Sequence, residues 1–372
     1  RVTTGSTVTI IGSGFNSGTL VDISGIAENN IVISPTQITF DIVENGTSDL
    51  LLQTLTIGAN TSQEISYIAP RDQALTAGKS FLVKEIYTNW NYNSNGFWRS
   101  NDWTSANTAS SPNNKHQLLG YKIRPTGSAI DVIYSTGVDD GLLETKLGLT
   151  PGPGYKKKVF KAYSTNGVRG TTSGLNFLMT GDLVDGIEAL AETPGDFAAL
   201  SEIKALTILE VIIDGKNGLE LGTAVGNFNN KTDVQFFSGN GIPGVLGDED
   251  APDLLITQMA DPGASDVYYY ADEEGNVVGH PIKLTIGNVS GTILAKWKLN
   301  LFTFADGLDF ASANPNGRAT RYIEDRFRPI RMAAFKLEDF GINSGIEIES
   351  IDNINMNSGG SADIAFMAYN QA

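Results

Sequence analysis

The amino-acid sequence predicts an all-β protein in which a small immunoglobulin-like sandwich is followed by a large antiparallel β-sandwich of jelly-roll type. Short runs rich in β-branched and aromatic residues recur along the chain, separated by glycine-containing turns. The 41 glycines show no regular period, which is typical of many tight turns rather than of a fibrous repeat. A single segment has clear helical spacing, so we expect at most one short helix.

Residues 1–72 contain short strand-like runs spaced as in an immunoglobulin-like sandwich. The runs are VTIIGSGF, LVDISGI, NIVIS, QITFDIV, LLLQTLTI and EISYIAP. The opening GSTVTIIGSGF, the later VDISG and the strand PTQITFDIV resemble the TIG (IPT) family of immunoglobulin-like domains. In that family TVTITGxGF opens the domain and a strand of the TQITFxV kind lies in its middle. The stretch PRDQALTAGKS, at residues 70–80, then predicts a joint.

Residues 78–372 are predicted to form the large sandwich, because strand-like runs continue to the end of the chain. These runs are FLVKEIY, HQLLGYKI, AIDVIYS, KKKVFKAY, LTILEVIID, DVQFF, DLLITQM, DVYYYAD, IKLTI, KWKLNLFTF, IRMAAFKL, IEIESI and DIAFMAY. The helical segment is GDFAALSEIKAL, with Asp196 as its N-cap and apolar residues at every third position. The basic run YKKKVFK at residues 155–161 is predicted to be an edge strand, where lysines oppose pairing with another sheet.

Several motifs of the large sandwich occur in an order that resembles a domain of large secreted proteins from gliding and marine Bacteroidota. The motifs are HQLLGYKI, YSTGVDDGLL, LEVIIDGKNGLELGTAV, PDLLITQMADPGASDVYYYADEEGNVVGHPI, RPIRMAAFKLEDFGI and GGSADIAFMAYN. The family shows YSTGVND, LTDGINGLDLGTG, ADFSDFGI and SGxSDxAFVAYN. The type nine secretion system exports its members, so the resemblance implies a location outside the cell, on the bacterial surface. The aromatic segment near residue 90 is longer and richer in tryptophan than is usual for the family.

Composition excludes several classes of function. The formal net charge of −16 repels phosphate backbones, so nucleic acid is not an expected partner. The absence of cysteine excludes disulfides, zinc–thiolate sites and thiol nucleophiles. No apolar run approaches the roughly 20 residues that a membrane-spanning helix needs. The chain begins at Arg1 without a signal peptide, which suggests a mature or excised part of a longer protein.

The sequence does not predict an enzyme. It contains two histidines, His116 and His280, and neither the HExxH motif nor a GxSxG elbow. We expect His116, at a strand start, to form local hydrogen bonds. A glycosidase needs two carboxylates facing one cleft at a separation of about 5–10 Å. The acidic residues instead gather in glycine-bounded turns, so a glycoside-active enzyme is the least favoured alternative.

The acidic turns are better suited to calcium, which binds clustered oxygen ligands. GVDDGLL contributes Asp139 and Asp140, and LGDEDAPD contributes Asp248, Asp250 and Asp253. The spacing is not that of an EF-hand. Structural calcium is one interpretation of these turns, and simple solvation of their carboxylates is the other.

The segment NWNYNSNGFWRSNDWTSANTASSPNNKHQ, at residues 89–117, holds three of the four tryptophans. Sugar-binding modules stack pyranose faces on exposed rings and bind hydroxyls with amide, carboxylate and guanidinium groups. Alternation would place Trp90 and Tyr92 on one face of an extended chain. The alternative is that these aromatic rings cap the open end of the sandwich. The candidate ligand-binding residues are Trp90, Tyr92, Trp98, Arg99, Asn101, Asp102 and Trp103.

Three functions remain after these exclusions. The first is a non-catalytic extracellular module that acts in adhesion or in assembly of a surface fibre, with the small sandwich as a stalk unit. Its partners would be a glycan or another surface molecule, neighbouring domains of a longer chain, or other subunits. The second is a carbohydrate-binding module that uses the aromatic residues 90–103. The third is the glycoside-active enzyme.

Overall fold

The structure is a computed structural model of the 372-residue chain. It describes residues 1–43, 45–74, 81–113, 116–165, 177–180, 208–229, 234–238, 251–260, 265–285, 291–303, 321–343, 345–358 and 361–371. The predicted helix at residues 195–206 lies outside these ranges. So do the predicted calcium ligands Asp248 and Asp250.

The N-terminal part is a small sandwich of two three-stranded sheets, with strand orders β1-β4-β3 and β2-β5-β6. The strands are β1 (Thr7–Ile11), β2 (Val21–Ile23), β3 (Glu28–Ile33), β4 (Gln37–Ile42), β5 (Leu50–Ile57) and β6 (Asn60–Tyr67). Every second side chain of β4 is buried, since Ile38, Phe40 and Ile42 face the other sheet. They pack with Ile23 and Leu55 in one core.

The remaining strands and three short helices form the large part of the molecule. The strands are β7 (Arg71–Ala74), β8 (Glu85–Thr88), β9 (Trp98–Arg99), β10 (Leu118–Ile123), β11 (Val132–Ser135), β12 (Tyr155–Lys156), β13 (Phe160–Ala162), β14 (Ser164–Thr165), β15 (Phe177–Thr180), β16 (Thr223–Asn229), β17 (Val234–Phe237), β18 (Leu254–Met259), β19 (Ser265–Ala271), β20 (Val277–Thr285), β21 (Ala295–Thr303), β22 (Arg321–Phe335), β23 (Asn353–Ser358), β24 (Ser361–Ile364) and β25 (Met367–Asn370). The helices are α1 (Asp140–Leu147), α2 (Ile208–Ile212) and α3 (Gly345–Glu349). The all-β prediction is confirmed.

Three sheets make up the large part, and the middle one is buried on both faces. The strand orders are β12-β11-β10-β8-β9, then β13-β25-β18-β22-β21-β15-β16-β24, then β14-β17-β23-β19-β20-β7. In the eight-stranded sheet Ile256 and Phe335 point into the core shared with the six-stranded sheet. Their neighbours Leu255 and Ala334 point into the core shared with the five-stranded sheet. The large sandwich therefore has three layers.

Three segments fold as helices although their sequences predict strands or a turn. LTILEVIID contains α2 and IEIESI contains α3, so helix is somewhat more frequent than the single short one expected. The run GVDDGLL contains the start of α1. Asp139 is the N-cap, because its side chain accepts a hydrogen bond from the amide of Leu142 at 2.9 Å. Gly148 ends α1 in the left-handed conformation at φ 63°.

The small sandwich lies against the outer face of the six-stranded sheet. β7 pairs in parallel with β20, from Arg71 opposite Ile282 to Ala74 opposite Thr285. The predicted boundary after residue 72 thus falls inside a strand of the larger unit. The amide of Val277 also donates to the carbonyl of Arg1 at 3.1 Å. No helix in the described ranges is long and apolar enough to cross a membrane.

Candidate functional site

The aromatic segment folds at the edge of the five-stranded sheet, directly after β8. Ser100–Asp102 form a single 3-10 turn after β9, and Tyr92–Ser94 form a turn before it in which Asn93 and Ser94 have positive φ. Asn93 has a φ of 51°, a left-handed conformation that asparagine tolerates better than most residues. The Asn91 side chain accepts a hydrogen bond from the amide of Gly96 at 2.9 Å and closes this loop. The asparagine-rich sequence thereby produces a tight turn rather than an extended chain.

Two of the predicted platform rings are buried. Trp90 is 8% exposed and Trp98 is 0% exposed. Trp98 packs edge-on against both Trp90 and the fourth tryptophan, Trp297, at centroid distances of 6.0 and 5.4 Å. The prediction of an open ring face is therefore wrong for Trp90 and Trp98, which cap the core as the alternative interpretation has it. The large apolar area of tryptophan explains why burial wins over exposure.

His116 lies beside this tryptophan cluster and is buried. The indole N–H of Trp297 donates to its Nε2 at 2.8 Å, and the two rings stack at 5.5 Å. An accepting Nε2 carries no proton, so His116 is a neutral imidazole with its proton on Nδ1. The buried carboxylate of Glu220 accepts hydrogen bonds from the amides of His116 and Gly222. These groups tie the start of β10 to the chain before β16, which is a structural role.

Tyr92 and Phe97 are the rings of the segment that remain half-exposed beside an open cleft. Each is backed by a buried ring. Tyr92 stacks on Trp90 at 5.2 Å with an interplanar angle of 18°, and Phe97 stacks on Tyr87 at 6.3 Å and 13°. The cleft has a volume of about 470 Å³, and its lining residues are Tyr92, Asn93, Asn95, Phe97, Arg99, Asp102, Lys146 and Leu147.

Fixed charges line the cleft beside these rings. Arg99 Nε contacts Asp102 Oδ1 at 2.9 Å. The hydrogen bond from Arg99 to Asp102 is the main cause that raises the pKa of this guanidinium above its ordinary value. Lys146 reaches across from α1 and donates to the carbonyl of Asn95 at 2.7 Å. The three side chains together give the cleft one net positive charge.

Trp103 belongs to a different surface. Its ring is partly buried and its indole N–H donates to Ser111 Oγ at 3.1 Å. It lines a smaller hollow of about 180 Å³ together with Lys296 and the exposed ring of Phe327. Asn101 is exposed. The structure thus unites Tyr92, Arg99 and Asp102 of the predicted site, and adds Phe97 and Lys146, for which no sequence pattern predicts a role in binding.

The described calcium candidates are engaged in local structure. Asp139 caps α1, and Asp140 accepts from the amide of Gly137 at 3.2 Å. Asp253 accepts from the amide of Leu337 at 2.8 Å, and burial raises its pKa to about 6. Among the residues whose placement is described, no group of three histidine, aspartate or glutamate side chains could hold a metal. Calcium binding stays a prediction.

Comparison with known proteins identifies no relative of this chain. No protein-family model, no curated protein and no solved structure matches the sequence or the fold. The resemblances to the TIG family and to the Bacteroidota surface proteins therefore remain expectations from the quoted motifs. The family to which the chain belongs is not shown by these comparisons.

Proposed function

We propose that the chain is a non-catalytic module of an extracellular bacterial surface protein and acts in adhesion. The observation that carries this proposal is the firm attachment of the small sandwich to the large one. A stalk unit that positions a binding surface must transmit force, and a hydrogen-bonded junction does so better than a flexible linker.

The attachment involves both ends of the small sandwich. At its end, β7 continues directly into a ladder with β20. At its start, the Arg1 guanidinium donates to the carbonyl of Gly279 at 3.1 Å. Gly5 lies so close to Asn357 that a Cβ there would stand 2.0 Å from the side-chain nitrogen. Two separated anchors restrict rotation far more than one, which favours a fixed orientation of the two parts.

The absence of catalysis is proposed because the described histidines lack the setting that acid–base chemistry needs. His116 is buried with Nε2 already accepting from Trp297. His280 lies in β20, where burial and the nearby Arg71 charge lower its pKa. A general acid or base must reach a bound substrate. The carboxylates of Asp139 and Asp140 in GVDDGLL instead accept hydrogen bonds from backbone amides.

Carbohydrate binding is the second candidate function, and the cleft beside α1 favours it. This cleft presents half-exposed rings next to paired polar groups, as a site for a sugar requires. Adhesion and carbohydrate binding are compatible, since a surface module can adhere through a glycan. The cleft residues are then the contact surface of the adhesive module.

Adhesion is tested with beads that carry the full chain, flowed over immobilised polysaccharides and bacterial or algal surfaces. We expect longer retention than for beads that carry albumin. Equal retention on every surface would overturn the adhesive function. Release of reducing sugar from the same polysaccharides, measured in parallel, would overturn the non-catalytic assignment.

A further inference from the structure

We propose that the cleft between the aromatic segment and α1 binds one neutral hexopyranose unit of a glycan, through its apolar face and two adjacent hydroxyls. This inference rests on the proposed carbohydrate binding and names its ligand class and contacts. The residues that would touch the sugar are Tyr92, Phe97, Arg99, Asp102 and Lys146.

The two rings are held in place before any ligand arrives. Tyr92 lies nearly parallel to the buried Trp90, and Phe97 lies nearly parallel to the buried Tyr87. A ring stacked on a buried neighbour has lost most of its rotational freedom. Binding therefore costs little side-chain entropy, which is a main component of what a ligand must overcome. The C–H face of a pyranose can pack on such a ring without distortion of the loop.

The Arg99–Asp102 pair matches two neighbouring sugar hydroxyls. A hydroxyl both donates and accepts a hydrogen bond, while a guanidinium only donates and a carboxylate only accepts. Arg99 uses its Nε for Asp102, and both side chains line the cleft. One hydroxyl can accept from Arg99 and its neighbour can donate to Asp102.

The charge balance favours a neutral sugar over an anionic one. The carboxylate of Asp102 neutralises Arg99 at 2.9 Å, so a second carboxylate on the ligand would compete with Asp102. Lys146 already donates to the carbonyl of Asn95, and it has two further N–H groups for a sugar oxygen. The remaining single positive charge is small beside the net charge of −16, which disfavours polyanionic glycans.

The size of the cleft agrees with a small ligand. Its volume of about 470 Å³ lies within the roughly 300–1,000 Å³ usual for small-molecule sites. The cleft lined by Ile130, Tyr134 and Lys156 is larger, at about 630 Å³, but has no carboxylate in its lining. The cleft lined by Phe81, Pro125 and Lys336 is smaller, at about 320 Å³. There the Asp339 carboxylate already accepts a hydrogen bond from the amide of Lys336 at 2.8 Å. The hollow beside Trp103 is smaller still and has no carboxylate in its lining.

Isothermal titration of the full chain with neutral glucose, mannose and galactose oligosaccharides tests the inference, and oligogalacturonate serves as the anionic probe. We expect at least one neutral oligosaccharide to bind. Tyr92→Ala and Arg99→Ala should each weaken that binding at least tenfold. Arg124→Ala is the matched control, because Arg124 Nε contacts Asp131 Oδ1 at 2.7 Å with similar exposure but lies outside the cleft.

Each outcome separates the inference from the wider function. Binding that Tyr92→Ala and Arg99→Ala leave unchanged would overturn the cleft but keep carbohydrate binding. Binding of oligogalacturonate alone would overturn the neutral ligand class. No binding of any oligosaccharide would overturn the inference, while retention of the beads would then show that adhesion uses another partner.

Discussion

At the scale of single residues, the burial of tryptophan side chains determines which rings of the aromatic segment are exposed. The segment looks like an exposed platform because its rings alternate with asparagines. Two of its three tryptophans are nevertheless buried, and Tyr92, Phe97 and Trp103 remain partly exposed. The fourth tryptophan, Trp297, is nearly 200 residues away in sequence, which is why no local pattern could reveal that Trp98 packs against it.

Replacement of Trp98 should therefore lower the stability of the fold. Trp98→Ala removes a fully buried ring and should lower the free energy of unfolding by about 3–5 kcal/mol. Trp98→Phe should cost less, because the Trp98 indole N–H is buried with no described hydrogen-bond partner. Urea denaturation measures both. Trp103→Ala, at a partly exposed ring, is the control, and a loss as large as that of Trp98→Ala would contradict the assignment.

Asp253 should make stability depend on pH. Burial raises the pKa of its carboxyl from 3.8 to about 6, so the folded protein binds this proton more tightly than the unfolded chain. Stability should then fall as pH rises from about 4 to 6, by up to about 3 kcal/mol from this group. Asp253→Asn keeps an oxygen for the amide of Leu337 and should flatten that decline. Urea denaturation at several pH values checks it, and an unchanged slope would show that the carboxyl is solvated.

At the scale of elements, short-range pattern predicts the strands well and their layer poorly. DLLITQM is predicted as a strand and forms β18, yet its unbroken burial reflects a central sheet covered on both faces. YKKKVFK is predicted as one edge strand but divides between β12 and β13, which each end the described strand order of a different sheet. IEIESI alternates like a strand but forms α3, in which Ile346 is 82% exposed. Alternation alone does not distinguish a buried strand from a short surface helix.

The helix α1 depends on its two ends and positions Lys146 in the cleft. Asp139→Ala removes the N-cap and should cost about 1 kcal/mol. Gly148→Ala places a Cβ at a φ of 63° and should cost about as much. Thr145→Ala, at an exposed position inside the helix, is the control and should be neutral or slightly stabilising. Urea denaturation measures the free energy of unfolding of the three variants. If Asp139→Ala and Gly148→Ala cost no more than Thr145→Ala, the two caps do not stabilise the helix.

At the scale of the whole molecule, the sequence predicts two units but not their attachment. PRDQALTAGKS reads as a joint because it combines proline, glycine and polar residues. Its first part instead forms β7, because β20, which begins roughly 200 residues later, offers a parallel partner at the edge of its sheet. Long-range pairing of this kind leaves no local pattern. Three of the eight residues that line the cleft, Tyr92, Arg99 and Asp102, were predictable, and Lys146 was missed because the fold brings α1 to the cleft.

The N-terminal part of this attachment can be disrupted at one position. Gly5 has a φ of 81° and faces Asn357, whereas Gly14 has a φ of 78° and open space around it. Gly5→Val and Gly14→Val should share the backbone strain of about 1–2 kcal/mol, but only Gly5→Val should push the small sandwich off the six-stranded sheet. We expect a larger radius of gyration in small-angle X-ray scattering and faster amide exchange at Val277 for Gly5→Val. Identical scattering and exchange in both variants would show that this contact does not hold the two sandwiches together.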